Sequence, residues 1–214
     1  MKPLDQCRLY TFVDTAYLGG KDVVDIARQL CRGGADLIQL RAKNCSTDEI
    51  RRLAETILPI AQQGEIGFVV NDHPQIATEV GAPYCHLGQE DFFDGGHTHV
   101  AELSAPNRRL RVGLSTHSPE QAAKAVAAGA DYIAIGPVYA TGTKPAAEPV
   151  TLDYVRWAAA NVTTPWFAIG GINLQNLGEV LDAGARRICV VSAILQAPDI
   201  ANACREFKNR LPGT

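Results

Sequence analysis

Three polar residues alternate with two apolar ones just after a short apolar run. The sequence there reads Gln39, Leu40, Arg41, Ala42, Lys43. Every second side chain of an extended chain points to the same side, so the amide and the two cations would face one place. An arginine fork and a lysine ammonium suit a bound anion. The alternative is that both cations extend from a surface loop into water.

Two acidic residues follow two later apolar runs. The run Ile66 to Val70 ends at Asn71 and Asp72, and the run Tyr84 to Leu87 is followed by Asp91. If these runs are neighbouring strands, their ends lie side by side. Carboxylates are the donors that Mg²⁺ takes when it also holds substrate phosphates. Asp72 could instead cap the following helix, but the acidic pair opposite a cationic strand favours a magnesium site.

A later loop, from Gly136 to Pro145, contains Thr141, Thr143 and Lys144. Hydroxyls, glycine N–H groups and one positive charge are suited to holding a diphosphate. The same composition also describes an ordinary exposed turn. The loop therefore supports the prediction of a bound anion only together with the other motifs.

The elements that must position these residues are short β-rich runs alternating with longer helical patterns. The runs are Arg8 to Val13, Leu37 to Leu40, Ile66 to Val70, Tyr84 to Leu87, Leu110 to Gly113, Tyr132 to Ile135, Trp166 to Ile169 and Arg187 to Val191. Helical patterns include Asp22 to Arg32, Thr47 to Gln62, Pro119 to Ala128, Leu174 to Ala183 and Asp199 to Arg210. A Gly-Ala pair precedes every second run, which indicates a repeated βα unit of about 25 residues.

Strand then helix, repeated without a linker, predicts a single (β/α)8 TIM barrel over residues 1–214. An open doubly wound sheet is less favoured because no G-x-G-x-x-G follows the first strand. In a barrel the carboxyl ends of all strands meet at one mouth. Gly170-Gly171 and Val191-Ser192 would then stand where this architecture holds a monophosphate, unless the glycines only form a tight turn.

Composition narrows the class of protein. The chain has 214 residues, of which 46% are hydrophobic and 20% charged, with a net charge of −3. Charges of mixed sign, without a block of like charges, argue against nucleic-acid and membrane partners. No apolar leader or membrane span is visible at the sequence level. Six scattered cysteines predict reduced thiols and a cytoplasmic protein, for which a homo-oligomer is possible.

Several residues near the predicted mouth have two interpretations. Ser115 and His117 follow the fifth run, where His117 could relay a proton or cap the next helix. His86, inside the fourth run, is expected to be a packed core imidazole. Cys45 and Cys85 are expected to be small buried hydrophobes more than reactive thiols.

Taken together, these motifs resemble the thiamine-phosphate synthase family, from the first strand to the eighth. The motifs are Gln39-Leu40-Arg41-Ala42-Lys43, Asn71-Asp72, His86-Leu87-Gly88-Gln89-Glu90-Asp91, Ser115-Thr116-His117, Thr141-Gly142-Thr143-Lys144, Ile169-Gly170-Gly171-Ile172 and Val191-Ser192-Ala193. The resemblance implies a Mg²⁺-dependent transferase. It would join the hydroxymethyl aminopyrimidine group of a pyrimidine diphosphate to a thiazole phosphate, releasing pyrophosphate and forming thiamine phosphate.

The resemblance also implies a role for each site residue. It implies that magnesium is bound by Asp72 and Asp91, and that the diphosphate is bound by Arg41, Lys43, Asn71 and Lys144. It implies that the pyrimidine or its leaving group contacts Gln39 and Ser115, and that the thiazole phosphate is bound by Thr141, Thr143, Gly171, Val191 and Ser192. The groups expected to act in catalysis are Arg41, Lys43, Ser115 and Lys144.

The chain departs from the family pattern at a few positions. His73 stands where arginine is usual, Ala140 and Gly142 replace prolines, and Thr15 follows Asp14 where Asp-Arg is common. No presumed metal ligand is lost. Two alternatives stay open: a thiazole tautomerase with His117 as the proton shuttle, and a non-catalytic paralogue that binds thiamine precursors. The tautomerase would not need the residues predicted to bind magnesium and the diphosphate.

Overall fold

The computed structural model describes residues 1–142 and 148–213. Within them, eight parallel strands pair in chain order and close into one barrel, because the first strand also pairs with the eighth. The strands are β1 (Leu9–Asp14), β2 (Leu37–Arg41), β3 (Gly67–Asn71), β4 (Tyr84–Leu87), β5 (Arg111–Thr116), β6 (Tyr132–Ile135), β7 (Trp166–Ile169) and β8 (Ile188–Cys189). The predicted (β/α)8 barrel is confirmed.

Helices follow the strands around the barrel. They are α1 (Val23–Arg32), α2 (Thr47–Gln63), α3 (Pro74–Val80), α4 (Gln89–Asp94), α5 (Pro119–Ala127), α6 (Thr151–Asn161), α7 (Leu177–Asp182), α8 (Ser192–Leu195) and α9 (Ile200–Arg210). Short 3₁₀ turns lie at Leu4–Gln6, Thr15–Tyr17 and Val100–Leu103. Across the described parts of the chain, none of the helices combines the length and the apolar character needed to cross a bilayer.

Three predicted boundaries were wrong for identifiable reasons. Strand β5 continues to Thr116, beyond the predicted end, because its last three residues pair in register with Ile133, Ala134 and Ile135 of β6. Strand β8 is shorter than predicted because Val191 leaves the extended region, with φ −111° and ψ −88°. Helix α7 begins later than predicted because Asn173 and Asn176 form a side-chain-bonded turn, in which Asn176 Oδ1 accepts from Asn173 N at 2.8 Å.

Aromatic side chains fill the barrel interior. The ring of Tyr10 lies 6.0 Å from that of Tyr132 and 5.4 Å from that of Phe167, centroid to centroid. Tyr132 and Phe167 are 5.8 Å apart. All three side chains are buried. The barrel is therefore a packed core rather than a pore, and its free space lies at the carboxyl ends of the strands.

The opposite end of the barrel is closed by a buried carboxylate. Asp36 Oδ2 accepts from the backbone amides of Arg8 and Leu9 at 2.8 and 3.0 Å, and Asp36 also pairs with Lys2 and Lys208. Its side chain is fully buried. Burial alone would raise the pKa of this carboxyl, but the hydrogen bonds from Lys208 and the two amides outweigh burial and lower it. The carboxylate therefore stabilises the fold.

We expect Asp36→Asn to lower the free energy of unfolding by about 3 kcal/mol at pH 7, because the half-buried Lys208 ammonium loses its partner. Since the pKa of Asp36 is lower in the folded state, this stabilisation is present above about pH 4 and is lost as the pH falls through the folded-state value. Urea unfolding of both proteins between pH 3 and 8 measures it.

Asp131 provides a matched control. It occupies the same place in a second Gly-Ala-Asp repeat, accepting from Val112 N at 2.8 Å, but its cation, Arg109, is 75% exposed. Asp131→Asn should cost less than about 1 kcal/mol. Equal costs for the two variants, or a difference that does not shrink in acid, would contradict the role given to Asp36.

Candidate active site

A pocket opens at the carboxyl ends of the strands, with about 930 Å³ of space including its mouth. Every predicted site residue that the structure describes lines it. These residues are Gln39, Arg41, Lys43, Asn71, Asp72, Asp91, Ser115, Thr141, Gly171, Val191 and Ser192. Thr143 and Lys144 lie outside the described residues.

The residues of β2 line the pocket as period-two alternation predicted. Gln39, Arg41 and the following Lys43 all line it, whereas Leu40 is part of the buried core. Arg41 does not extend into water: its Nη1 donates to Asp14 Oδ2 at 2.7 Å, and its side chain is 13% exposed. The surface-loop alternative for Arg41 is therefore wrong.

Asp14 holds Arg41 in place from the neighbouring strand. The two residues are register partners on β1 and β2, and the Asp14 side chain is 1% exposed. Its other oxygen, Oδ1, accepts from Ala16 N at 3.0 Å, so the carboxylate is fixed at both oxygens. A guanidinium anchored by a buried carboxylate is pre-organised for an anion. This function of Asp14 was not predicted, although Asp14 lies an even number of residues along β1 from the inward-facing Tyr10 and therefore points to the same side.

Asp72 lies at the rim in a constrained backbone conformation. Its φ is 61°, a left-handed value uncommon for residues with a side chain. The conformation is held by the hydrogen bond from Asp72 N to His86 O at 2.8 Å. Its Oδ2 pairs with Lys43 Nζ at 3.4 Å. The capping alternative is wrong, because the N-cap of α3 is His73 and no side chain caps that helix.

Asp91 lies in the first turn of α4, on the next strand connection, and lines the same pocket as Asp72. Gly88 makes room for it, because a Cβ at residue 88 would lie 2.6 Å from Asp91 Oδ2. Within the described residues, no group of three or more His, Cys, Asp or Glu side chains could hold a metal ion. Two carboxylates with space around them fit Mg²⁺, which keeps waters and substrate phosphates as its other ligands.

The pocket floor contains a hydrogen-bonded imidazole. His86 Nε2 lies 2.9 Å from Ser115 Oγ, and His86 Nδ1 lies 3.2 Å from Tyr132 Oη. His86 is 7% exposed, as expected for a packed core residue, yet it also lines the pocket. The inward direction of the His86 side chain could have been predicted from the sequence, because alternate residues of a strand face the same side. Its contact with Ser115 depends on the register of β4 against β5, which the sequence does not give.

His117 also lines the pocket, and its Nδ1 meets the carbonyl oxygen of Gly136. The capping alternative for this residue is wrong, because Ser118 caps α5 by accepting from Gln121 N. His73, the departure from the family pattern, instead lines an outer groove with Arg51 and Glu79. His73 is not among the residues that line the main pocket, although Asp72 beside it lines both the pocket and the groove.

All six cysteines are unpaired, as predicted. Burial raises the pKa of the Cys85 thiol far above its usual range, so this residue is a buried hydrophobe and not a thiolate nucleophile. Cys189, which lines the pocket, is likewise fully buried with a raised pKa. Neither the Cys85 nor the Cys189 thiol is therefore favoured as a nucleophile.

Comparisons with known proteins agree on one family. Residues 9–194 match the family model described as thiamine monophosphate synthase. The thiamine-phosphate synthase of Thermus thermophilus is 44% identical over 191 residues, covering 89% of each chain. That of Lawsonia intracellularis is 39% identical over 204 residues, covering 95% of this chain and 92% of the relative. The structure of thiamine phosphate pyrophosphorylase from Pyrococcus furiosus superimposes with a TM-score of 0.83 at 33% identity over 96% of both chains.

A closed barrel with charged side chains converging at the carboxyl ends of its strands defines the class of (β/α)8 enzymes. Within that class, the chain belongs to the thiamine monophosphate synthase family.

Proposed function

We propose that this protein joins the hydroxymethyl aminopyrimidine group of a pyrimidine diphosphate to the ring nitrogen of a thiazole phosphate. The products are thiamine phosphate and pyrophosphate. The observation that carries the proposal is the convergence of two carboxylates and two cations at one pocket mouth, on Asp72, Asp91, Arg41 and Lys43. Such a set of charges suits a departing diphosphate with its metal ion. The names of the relatives support the same reaction.

Asp72 and Asp91 would hold one Mg²⁺ ion. When bound, the ion would neutralise charge that develops on the leaving diphosphate. Lys43 pairs with Asp72 at 3.4 Å, so its ammonium is already near the proposed diphosphate oxygens. Arg41, fixed by Asp14, would donate to the same anion from the same strand end. Lys144 would add a third cation, on the evidence of its sequence motif alone.

The reaction needs positioning more than a covalent nucleophile. The carbon–oxygen bond to the diphosphate breaks with both electrons leaving on pyrophosphate, and the thiazole nitrogen captures the resulting pyrimidinylmethyl cation. Gln39 and Ser115 would hold the pyrimidine over the aromatic floor, where Phe12 lines the pocket. Thr141, Gly171, Val191 and Ser192 would hold the thiazole phosphate, with Thr143 proposed from its motif. Aligning the two rings in this way supplies much of the rate enhancement.

The tautomerase alternative is less well supported. It would use His117 as a proton shuttle, and the contact of His117 Nδ1 with the carbonyl oxygen of Gly136 does not oppose that role, because the second ring nitrogen remains. It is less well supported because it would leave the acidic pair, Asp72 and Asp91, without a function. Loss of proton exchange at a thiazole carboxylate phosphate in His117→Ala would be the positive sign for that activity.

The proposal is tested by supplying both substrates to the purified protein and measuring pyrophosphate and thiamine phosphate together. We expect the two products in equal amounts, only when both substrates and Mg²⁺ are present. EDTA should abolish the reaction and excess Mg²⁺ should restore it. Absence of thiamine phosphate at every Mg²⁺ concentration would refute the transferase. Turnover that EDTA does not affect would refute the metal assignment while leaving the transferase intact.

A further inference from the structure

A continuous chain of hydrogen bonds runs under the pocket floor, from Gln39 to Ser115. Gln39 Nε2 donates to Tyr10 Oη, and Tyr10 Oη lies 3.1 Å from Tyr132 Oη. Tyr132 Oη lies 3.2 Å from His86 Nδ1, and His86 Nε2 lies 2.9 Å from Ser115 Oγ. Both ends of the chain line the pocket, and its two tyrosines are buried.

The chain is built into the barrel and is not an incidental contact. Its members come from β1, β2, β4, β5 and β6, so it crosses the barrel interior. Gly113 of β5 makes room for the central tyrosine, because a Cβ there would lie 2.1 Å from Tyr132 Cζ. Burial raises the pKa of both Tyr10 and Tyr132, so each hydroxyl keeps one proton.

One proton per hydroxyl makes the direction of donation the same along the chain. Because Gln39 donates to Tyr10, Tyr10 donates to Tyr132 and Tyr132 donates to His86 Nδ1. His86 is then the Nε2–H tautomer and donates to Ser115 Oγ, which leaves the Ser115 proton to donate elsewhere. If Gln39 presented its carbonyl oxygen to Tyr10, every step would reverse and Ser115 would offer only lone pairs.

We propose that Tyr10, Tyr132 and His86 are positioning residues that couple the hydrogen-bond polarity of Gln39 to that of Ser115. With Gln39 as the donor to Tyr10, Gln39 keeps an acceptor oxygen and Ser115 keeps a donor proton. A heterocycle with an amine donor beside a ring-nitrogen acceptor matches this pair. The coupling itself is a property of the fold, while its use in recognising an aminopyrimidine rests on the function proposed above.

The coupling is tested by the protonation of His86, measured by long-range ¹H–¹⁵N NMR and assigned with His86→Gln. In the wild-type protein, Nε2 of His86 should be protonated and Nδ1 should be unprotonated. Gln39→Glu places a carboxylate that can only accept when it is ionised, and the ¹³C shift of its carboxyl carbon identifies the pH at which it is ionised. The chain should then reverse, so that Nδ1 of His86 gains a proton. An unprotonated His86 Nδ1 in Gln39→Glu would overturn the proposal.

The control repeats the measurement in a Tyr132→Phe background, where the chain is cut but the ring remains. Gln39→Glu should then leave the protonation of His86 unchanged. An equal response with and without the Tyr132 hydroxyl would show that the charge acts through space, and would overturn the coupling. Neither measurement requires turnover, so a failure of the proposed function would not affect them.

The role in recognition is tested by steady-state kinetics of Tyr132→Phe. We expect kcat/KM for the pyrimidine diphosphate to fall roughly tenfold, the equivalent of one lost hydrogen bond, with the KM for the thiazole phosphate unchanged. Tyr84→Phe is the matched control, since it removes another buried tyrosine hydroxyl, one that accepts a hydrogen bond from Arg111 and is not part of the chain from Gln39 to Ser115. An equal fall in kcat/KM in the two variants would show that the Tyr132 hydroxyl has only a structural role.

Discussion

Asp91→Asn is expected to lower kcat by about 100-fold or more while leaving the barrel folded. The amide keeps the size of the side chain but removes the negative charge proposed to hold Mg²⁺. The Asp91 side chain is exposed and lies at the rim rather than in the core, so the loss of its charge should cost little stability. The measurement is a Mg²⁺ titration of the rate, in which the variant should also need more Mg²⁺ than wild type.

Asp94→Asn is the matched control, because Asp94 lies on the same short helix, is exposed and does not line the pocket. It changes the net charge of α4 by the same amount. Wild-type turnover in Asp94→Asn together with a large loss in Asp91→Asn would assign the effect to the position of the carboxylate. Similar rates in both variants would remove Asp91 from the proposed metal site.

Arg41→Met should reduce both stability and activity. The buried Asp14 carboxylate would lose its partner, which costs about 3 kcal/mol or more, and the leaving diphosphate would lose a guanidinium, which lowers the rate about 100-fold. Urea unfolding and pyrophosphate release measure the two effects separately. Wild-type stability in this variant would mean that the 2.7 Å pair contributes nothing to the fold.

The double variant Arg41→Met with Asp14→Asn separates the two effects. Removing the unpaired charge should restore most of the lost stability, because asparagine keeps the oxygen that accepts from Ala16 N. The activity should stay low, since the guanidinium is still missing. Recovery of activity along with stability would show that Arg41 serves the fold and not the leaving group.

The barrel fold, and the cations and carboxylates that share the pocket, could be predicted from the sequence. Alternation within a single strand needs no knowledge of neighbouring strands, and it placed Gln39, Arg41 and Lys43 on the pocket side. The position of polar residues after successive strands likewise predicted that Asp72 and Asp91 share a pocket. Both inferences depend only on local geometry and on the rule that parallel strands end at one mouth.

The partners of these residues could not be predicted, because they depend on the stagger between strands. The pair Asp14–Arg41 follows from the β1–β2 register, and the contact His86–Ser115 follows from that of β4 and β5. The contact between Tyr10 and Tyr132 joins strands that are not neighbours in the barrel. The left-handed backbone of Asp72 is likewise fixed by the carbonyl oxygen of His86 and not by its own sequence.

The most direct test is a crystal soaked with Mn²⁺, as an anomalous substitute for Mg²⁺, and pyrophosphate. We expect one anomalous peak within coordinating distance of Asp72 and Asp91, about 2.1 Å for Mg²⁺, with pyrophosphate bridging the ion and the side chains of Arg41 and Lys43. No peak at saturating Mn²⁺, or a peak that neither aspartate contacts, would show that these two carboxylates do not hold the metal ion.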